Sequence, residues 1–76
     1  MNAYAMAAQL LGDVELSVGQ LAQLRAIDVK YQQRLFTLLH RDDAPPVEEM
    51  AELRAMIAAD LLEMLTPEQR DELPGR

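Results

Sequence analysis

Few side chains in this sequence can do covalent or acid–base chemistry, and those present are not placed to do it together. Cysteine is absent, His40 is the one histidine, and the aliphatic hydroxyls are Ser17, Thr37 and Thr66. Ser17 and Thr66 each precede a helical pattern and are taken up as helix caps, so no nucleophile–base pair can be assembled. A glycine-rich phosphate loop is also missing. Carboxylates are plentiful: Glu49, Glu52, Asp60 and Glu63 fall within about 80° of one another on a helical wheel. Such oxygens suit a divalent cation, but the Glu-x-x-His pairs of a di-metal bundle are missing. These acids also stand opposite the apolar arc of their own helix. A solvated face that aids solubility or steers a basic partner is expected. No catalytic, metal-binding or cofactor-binding residue is assigned, and the chain is not expected to be an enzyme.

The residues best placed for a defined local role are the caps. Ser17 accepts a free backbone N–H at a helix start while Gln20 reaches back to the cap residue, and Leu16 can clip onto Leu21. Thr66 and Gln69 repeat the arrangement, with Pro67 at the first helical position. These starts require helices behind them, and apolar spacing is helical wherever it can be tested. The fold class is therefore all-α.

Four helices are predicted, at about 2–11, 17–40, 46–64 and 67–73, in one domain spanning 1–76. In the first, Ala3, Ala7, Leu10 and Leu11 share a side and Gly12-Asp13 stops it. The second carries Leu24, Ile27, Tyr31, Leu35 and Leu38 as one stripe, with the Tyr31 hydroxyl at its edge. RDDAPP breaks the chain, and Glu48 and Glu49 favour the next N-terminus. The third helix centres its apolar arc on Met50, Leu53, Ile57, Leu61 and Met64. Val47, Ala51, Ala58, Leu62 and Leu65 widen that arc to about half the circumference. The second and third helices form an antiparallel hairpin with short flanking helices at both ends. One neighbour cannot cover the third helix, so the first helix, the fourth or another subunit must take the remainder. Leu24, Ile27, Tyr31, Leu35, Leu38, Met50, Leu53, Arg54, Ile57 and Leu61 are the predicted interaction face.

Asp28 at the edge of one stripe and Arg54 inside the facing arc are predicted to pair, because an unpaired charge there is costly. The alternative for Arg54 is to lay its stem on apolar surface and turn its head outward. Met6, Met50, Met56 and Met64 serve as core filler or as an adaptable surface.

Length and charge bound the rest. A 76-residue chain, 50% apolar and without cysteine, gains little from a single core, which points to a dimer or a larger assembly. Residues 1–41 hold four basic and three acidic side chains and residues 42–76 hold three and ten, giving the net −6. No Lys/Arg cluster exists for nucleic acid or an anionic membrane. No apolar run reaches the roughly 18 residues of a membrane span. The MNAYAMAAQLL start lacks the charged region of a signal peptide, so the chain reads as cytoplasmic, or periplasmic if a signal was removed.

Leu16-Ser17-Val18-Gly19-Gln20 and Leu65-Thr66-Pro67-Glu68-Gln69 begin 49 residues apart. This resembles the LTxxQ family of Spy and CpxP, small helical envelope proteins named for two such motifs, and the likeness covers residues 16 to 69. It implies an antiparallel, cradle-shaped dimer that acts as an ATP-independent chaperone or as a sensor or inhibitor of envelope stress signalling. Ser17 stands where the family has Thr. The basic client-binding concavity of Spy and CpxP has no counterpart in an acidic chain, and the histidine-rich zinc positions of other relatives have none beside a lone His40. The resulting expectation is a non-enzymatic protein that holds a partner or client on a dimeric helical surface. The alternatives are an accessory subunit whose apolar faces are buried on assembly, and a regulator that captures one target helix in its groove.

Overall fold

A computed structural model describes residues 2–41 and 46–73. The connector centred on Asp42 to Pro45 and the Pro74-Gly75 stop therefore lie outside the described residues. Four helices follow one another: α1 (Ala3–Leu11), α2 (Val18–Leu39), α3 (Val47–Met64) and α4 (Pro67–Asp71). Ser17 and Thr66 are the N-caps of α2 and α4, each in a complete capping box. Leu16 packs on the core, whereas Leu21 remains half exposed. Pro46 is the N-cap residue of α3 rather than its first helical residue and gives no side-chain cap, leaving Glu48 and Glu49 to favour the exposed N–H groups.

The core is the line where α1, α2 and α3 meet. Leu53, Ile57 and Leu61 of α3 are at most 1% exposed and form its centre. Leu24, Tyr31 and Leu35 close it from α2, and Ala3, Met6, Ala7 and Leu11 close it from α1. Contacts between α2 and α3 pair rising with falling numbers: Gln20 with Met64, Lys30 with Asp60, Arg34 with Met56 and Arg41 with Glu49. The charge asymmetry is thereby used internally, since bases of the first half meet acids of the second.

Helix α1 answers much of the demand of the broad α3 arc. Ala3 and Ala7 are buried, and their small side chains let the backbone of α1 approach closely. Met6 and Leu11 fill the space on either side. Gly12, at φ 59°, ends the helix in a backbone region that other residues adopt at a cost. Leu65 is also buried, while Met50, Ala58, Leu62 and Met64 are partly covered. Only the far edge of the arc stays open, with Val47 72% exposed.

The predicted Asp28–Arg54 pair is not formed. Asp28 Oδ1 instead accepts the Ala3 N–H at 3.2 Å, capping α1 from the neighbouring helix, while Asn2 Oδ1 accepts the Ala5 N–H at 2.7 Å. A carboxylate at a free N–H of a helix start satisfies a donor and meets the positive end of the dipole. Arg54 is exposed, and the register that sets Lys30 beside Asp60 and Arg34 beside Met56 places it level with the C-terminal part of α2, about two turns from Asp28. Asp28→Ala is expected to loosen α1 by about 1 kcal/mol. Amide exchange across Ala5–Leu11 should then rise several-fold while exchange in α3 stays unchanged.

Candidate functional site

The two capping boxes, 49 residues apart in sequence, meet in space. Within each box the glutamine serves its own cap: Gln20 Oε1 accepts the Ser17 N–H at 2.9 Å, and Gln69 Oε1 accepts the Thr66 N–H at 2.9 Å. The hydroxyls return the bond, Ser17 Oγ to the Gln20 N–H at 3.1 Å and Thr66 Oγ1 to the Gln69 N–H at 3.2 Å. The carboxamides then reach across to each other. Gln20 Nε2 donates to Gln69 Oε1 at 2.6 Å, and Gln69 Nε2 donates to Gln20 Oε1 at 3.0 Å. Their remaining protons go to backbone carbonyls, Gln20 to Met64 O at 3.0 Å and Gln69 to Glu15 O at 2.8 Å.

All four amide protons of the pair are thus used, and both oxygens accept twice. Gln20 is the one buried polar residue described. Its burial is tolerable because every donor and acceptor is satisfied. The sequence located the four cap residues, but not that their side chains form one junction. Beside it, Arg70 Nε donates to Leu62 O at 2.9 Å, bringing a cation to the carbonyl end of α3. The junction can tie α2, α3 and α4 together, with the Ser17 and Thr66 hydroxyls both engaged by backbone N–H groups.

A second polar contact lies midway along α2 and α3. The buried Tyr31 donates its hydroxyl to Asp60 Oδ2 at 2.7 Å, and Lys30 Nζ reaches the same oxygen at 3.0 Å while lying 5.0 Å from the Tyr31 ring centroid. Asp60 therefore leaves the solvated acidic face expected of it and turns toward α2. The hydrogen bond from Tyr31, and then that from Lys30, hold the Asp60 carboxyl below its ordinary value of 3.8. The same bond to Asp60, with burial, raises the Tyr31 hydroxyl above 10.0.

The Asp60 shift has a definite pH sign. A carboxyl with a lowered folded value contributes stability above its unfolded value, and that contribution is lost as pH falls through the folded value. Tyr31→Phe is expected to cost about 1 kcal/mol at pH 7 and progressively less toward pH 2, as falling pH adds a proton to the acceptor. Urea titrations at both pH values test this.

The other predicted residues are distributed as follows. Leu24, Tyr31, Leu35, Leu53, Ile57 and Leu61 are buried within the chain, and Ile27, Leu38 and Met50 are partly so. This stripe is occupied largely by the chain's own helices, and of the predicted face Arg54 alone is exposed. Glu49 pairs with Arg41. Among the described residues no group of three or more His, Asp or Glu side chains is arranged to hold a metal, and no helix is long and apolar enough to cross a membrane.

Among the described residues seven large apolar side chains are exposed, and five of them belong to α2: Val18, Leu21, Val29, Phe36 and Leu39. At 100° per residue these five lie within about 100° of arc, centred roughly 120° from the buried stripe. A helix with a second, unused apolar face is the clearest surface here for binding. Phe36 stacks on His40 with centroids 4.0 Å apart. The chain matches no family model, no curated protein and no solved structure.

Proposed function

We propose that this is a non-enzymatic helical binding protein, resembling the Spy and CpxP proteins, that holds a protein partner or client on a dimeric helical surface. The observation that carries the reading is the exposed apolar face of α2, because such faces in small proteins mark sites of association. The union of the two LTxxQ-like motifs through Gln20 and Gln69 supports the resemblance. It gives a reason for glutamine at both fifth positions that isolated helix caps do not require. The antiparallel hairpin of α2 and α3 is the scaffold in this reading, and α1 is the brace that covers its open side.

The purified chain is expected to delay aggregation of an unfolded model client without ATP. Light scattering of thermally unfolding citrate synthase with added chain provides the measurement. No delay at a several-fold molar excess of folded chain overturns the reading. A chain that stays in solution only with one co-purified partner points to the accessory-subunit alternative.

A further inference from the structure

Arg54 sits inside the apolar arc of α3, and the residues one turn to either side of it are Met50, Ala51, Ile57 and Ala58, all apolar. At 100° per residue the nearest acid of that helix, Glu48, stands about 120° around the axis. Helix α1, which shares a groove with Arg54, carries no charged residue. The guanidinium makes no ion pair or hydrogen bond with any described residue. In a chain with thirteen acids and seven bases, an arginine kept clear of the described carboxylates is available to an anion from outside the chain.

The surface beside Arg54 is concave. A groove of about 600 Å³ runs between α1 and α3, walled by Ala5, Met6, Gln9 and Leu10 on one side and by Arg54 and Ala58 on the other. Its volume lies in the range of small-molecule sites, and its lining is of their kind, mostly apolar with few polar groups. Ala5 and Ala58 leave the space, while Met6 and Leu10 are set more deeply. A smaller groove of about 320 Å³, bounded by Pro46, Val47, Met50 and Ala51, meets the same arginine. Neither groove is lined by an acid.

These features select the occupant. Its head must be an anion, and a planar guanidinium suits a carboxylate because the two can form parallel hydrogen bonds. Its body must be apolar and ask for no hydrogen bonds, since beyond Arg54 the groove offers only the Gln9 carboxamide. An extended peptide laid there would find few partners for its backbone groups. A helix, about 10 Å or more across, would straddle a crease between packed helices rather than enter it. A single alkyl chain meets each requirement. We infer that the groove between α1 and α3 is a binding site for a single-chain fatty acid, its carboxylate on Arg54 and its alkyl chain along Met6, Leu10 and Ala58. The site uses no residue of α2 and so is separate from the face that carries the proposed function.

Amide shifts of the full chain titrated with dodecanoate, below its micelle concentration, test this. Saturable shifts are expected at Ala5, Gln9, Arg54 and Ala58, with a Kd on the order of 100 µM for a ligand of this size. Shortening to decanoate should weaken binding by about four-fold, as the loss of two half-buried methylenes requires. Dodecyltrimethylammonium, with the same chain and the opposite charge, should bind about ten-fold more weakly or worse. Arg54→Gln should bring dodecanoate down by a similar factor, and Ala5→Trp, which fills the groove, should abolish its binding. Both positions are exposed, so far-UV ellipticity should hold and mark each variant as folded. Equal affinity for the two head groups, shifts centred on Val29 and Phe36 of α2, or full affinity in Arg54→Gln overturns the site. Client protection by a chain that ignores dodecanoate would sink the site alone, and a chain that binds dodecanoate here but protects nothing would sink the binding-protein reading alone.

Discussion

Leu61→Ala is expected to lower stability by about 3 kcal/mol, the largest loss of any single truncation described here. Leu61 is fully buried, with Ile57 and Leu53 one and two helical turns before it on the same side of α3. Truncation there opens a cavity on the line where α1, α2 and α3 meet, walled by side chains that are themselves buried. A domain of this size has on the order of 4–11 kcal/mol in total. The expected fall in midpoint temperature is therefore about 12–25 °C. Val18→Ala, at a position 86% exposed, should shift the midpoint by little and serves as the control. Thermal melts followed by ellipticity decide the matter. Equal effects at the two sites would mean that the centre of the core lies elsewhere.

The second large effect is expected from Gln20→Glu. A capping box accepts glutamate as readily as glutamine at this position, so the local cap survives the change. The two N–H donors do not survive. One carboxylate oxygen is left facing Met64 O and Gln69 Oε1, which now accept from Gln20 Nε2 at 3.0 and 2.6 Å. Burial and the opposed oxygens raise the folded value of the introduced carboxyl above its unfolded value of about 4.3. Stability is then fullest below about pH 4 and is lost as pH rises through the raised folded value. At pH 7 the cost is expected to be about 3 kcal/mol. Gln20→Leu should cost a similar amount at pH 7 with no such pH dependence, and urea midpoints at pH 3.5 and 7 separate the two. If acidification fails to restore any of the glutamate variant's stability, the amide donors are not what holds the junction.

The helices and their caps were legible because they depend on near neighbours. Ser17 with Gln20, Thr66 with Gln69, and the Gly12 stop are each settled within a few residues. The central stripes also lie where periodicity puts them, at Leu24, Tyr31, Leu35, Leu53, Ile57 and Leu61. A helical wheel gives a direction, however, and not the neighbour found in that direction. Asp28 points inward as expected, but the group waiting there is the start of α1 and not Arg54. The acids around Asp60 point it to a solvated face, yet it lies close enough to α2 for Tyr31 to claim it. The second apolar face of α2 went unread because the first, richer in leucine, already accounted for a helix of that length. Periodicity asks for a second cover on α3 and leaves the first helix, the fourth or another subunit to supply it; the small Ala3 and Ala7 are what let α1 sit close enough to take much of it.

The glutamine junction also bears on the order in which the chain folds. Cross-helix contacts become progressively less local away from the connector: Arg41 and Glu49 are eight residues apart, Lys30 and Asp60 thirty, Gln20 and Gln69 forty-nine. Closing a loop costs entropy that grows with its length, so contacts near the connector form at least cost and the junction at the most. The amide pair should close last and open first. Substitutions at Gln20 or Gln69 are then felt in the unfolding limb of a chevron plot and leave the folding limb nearly unmoved, whereas substitutions at Lys30 or Tyr31 fall between. The clasp that finishes the fold thus governs how long a native molecule persists, and contributes little to how quickly it is made.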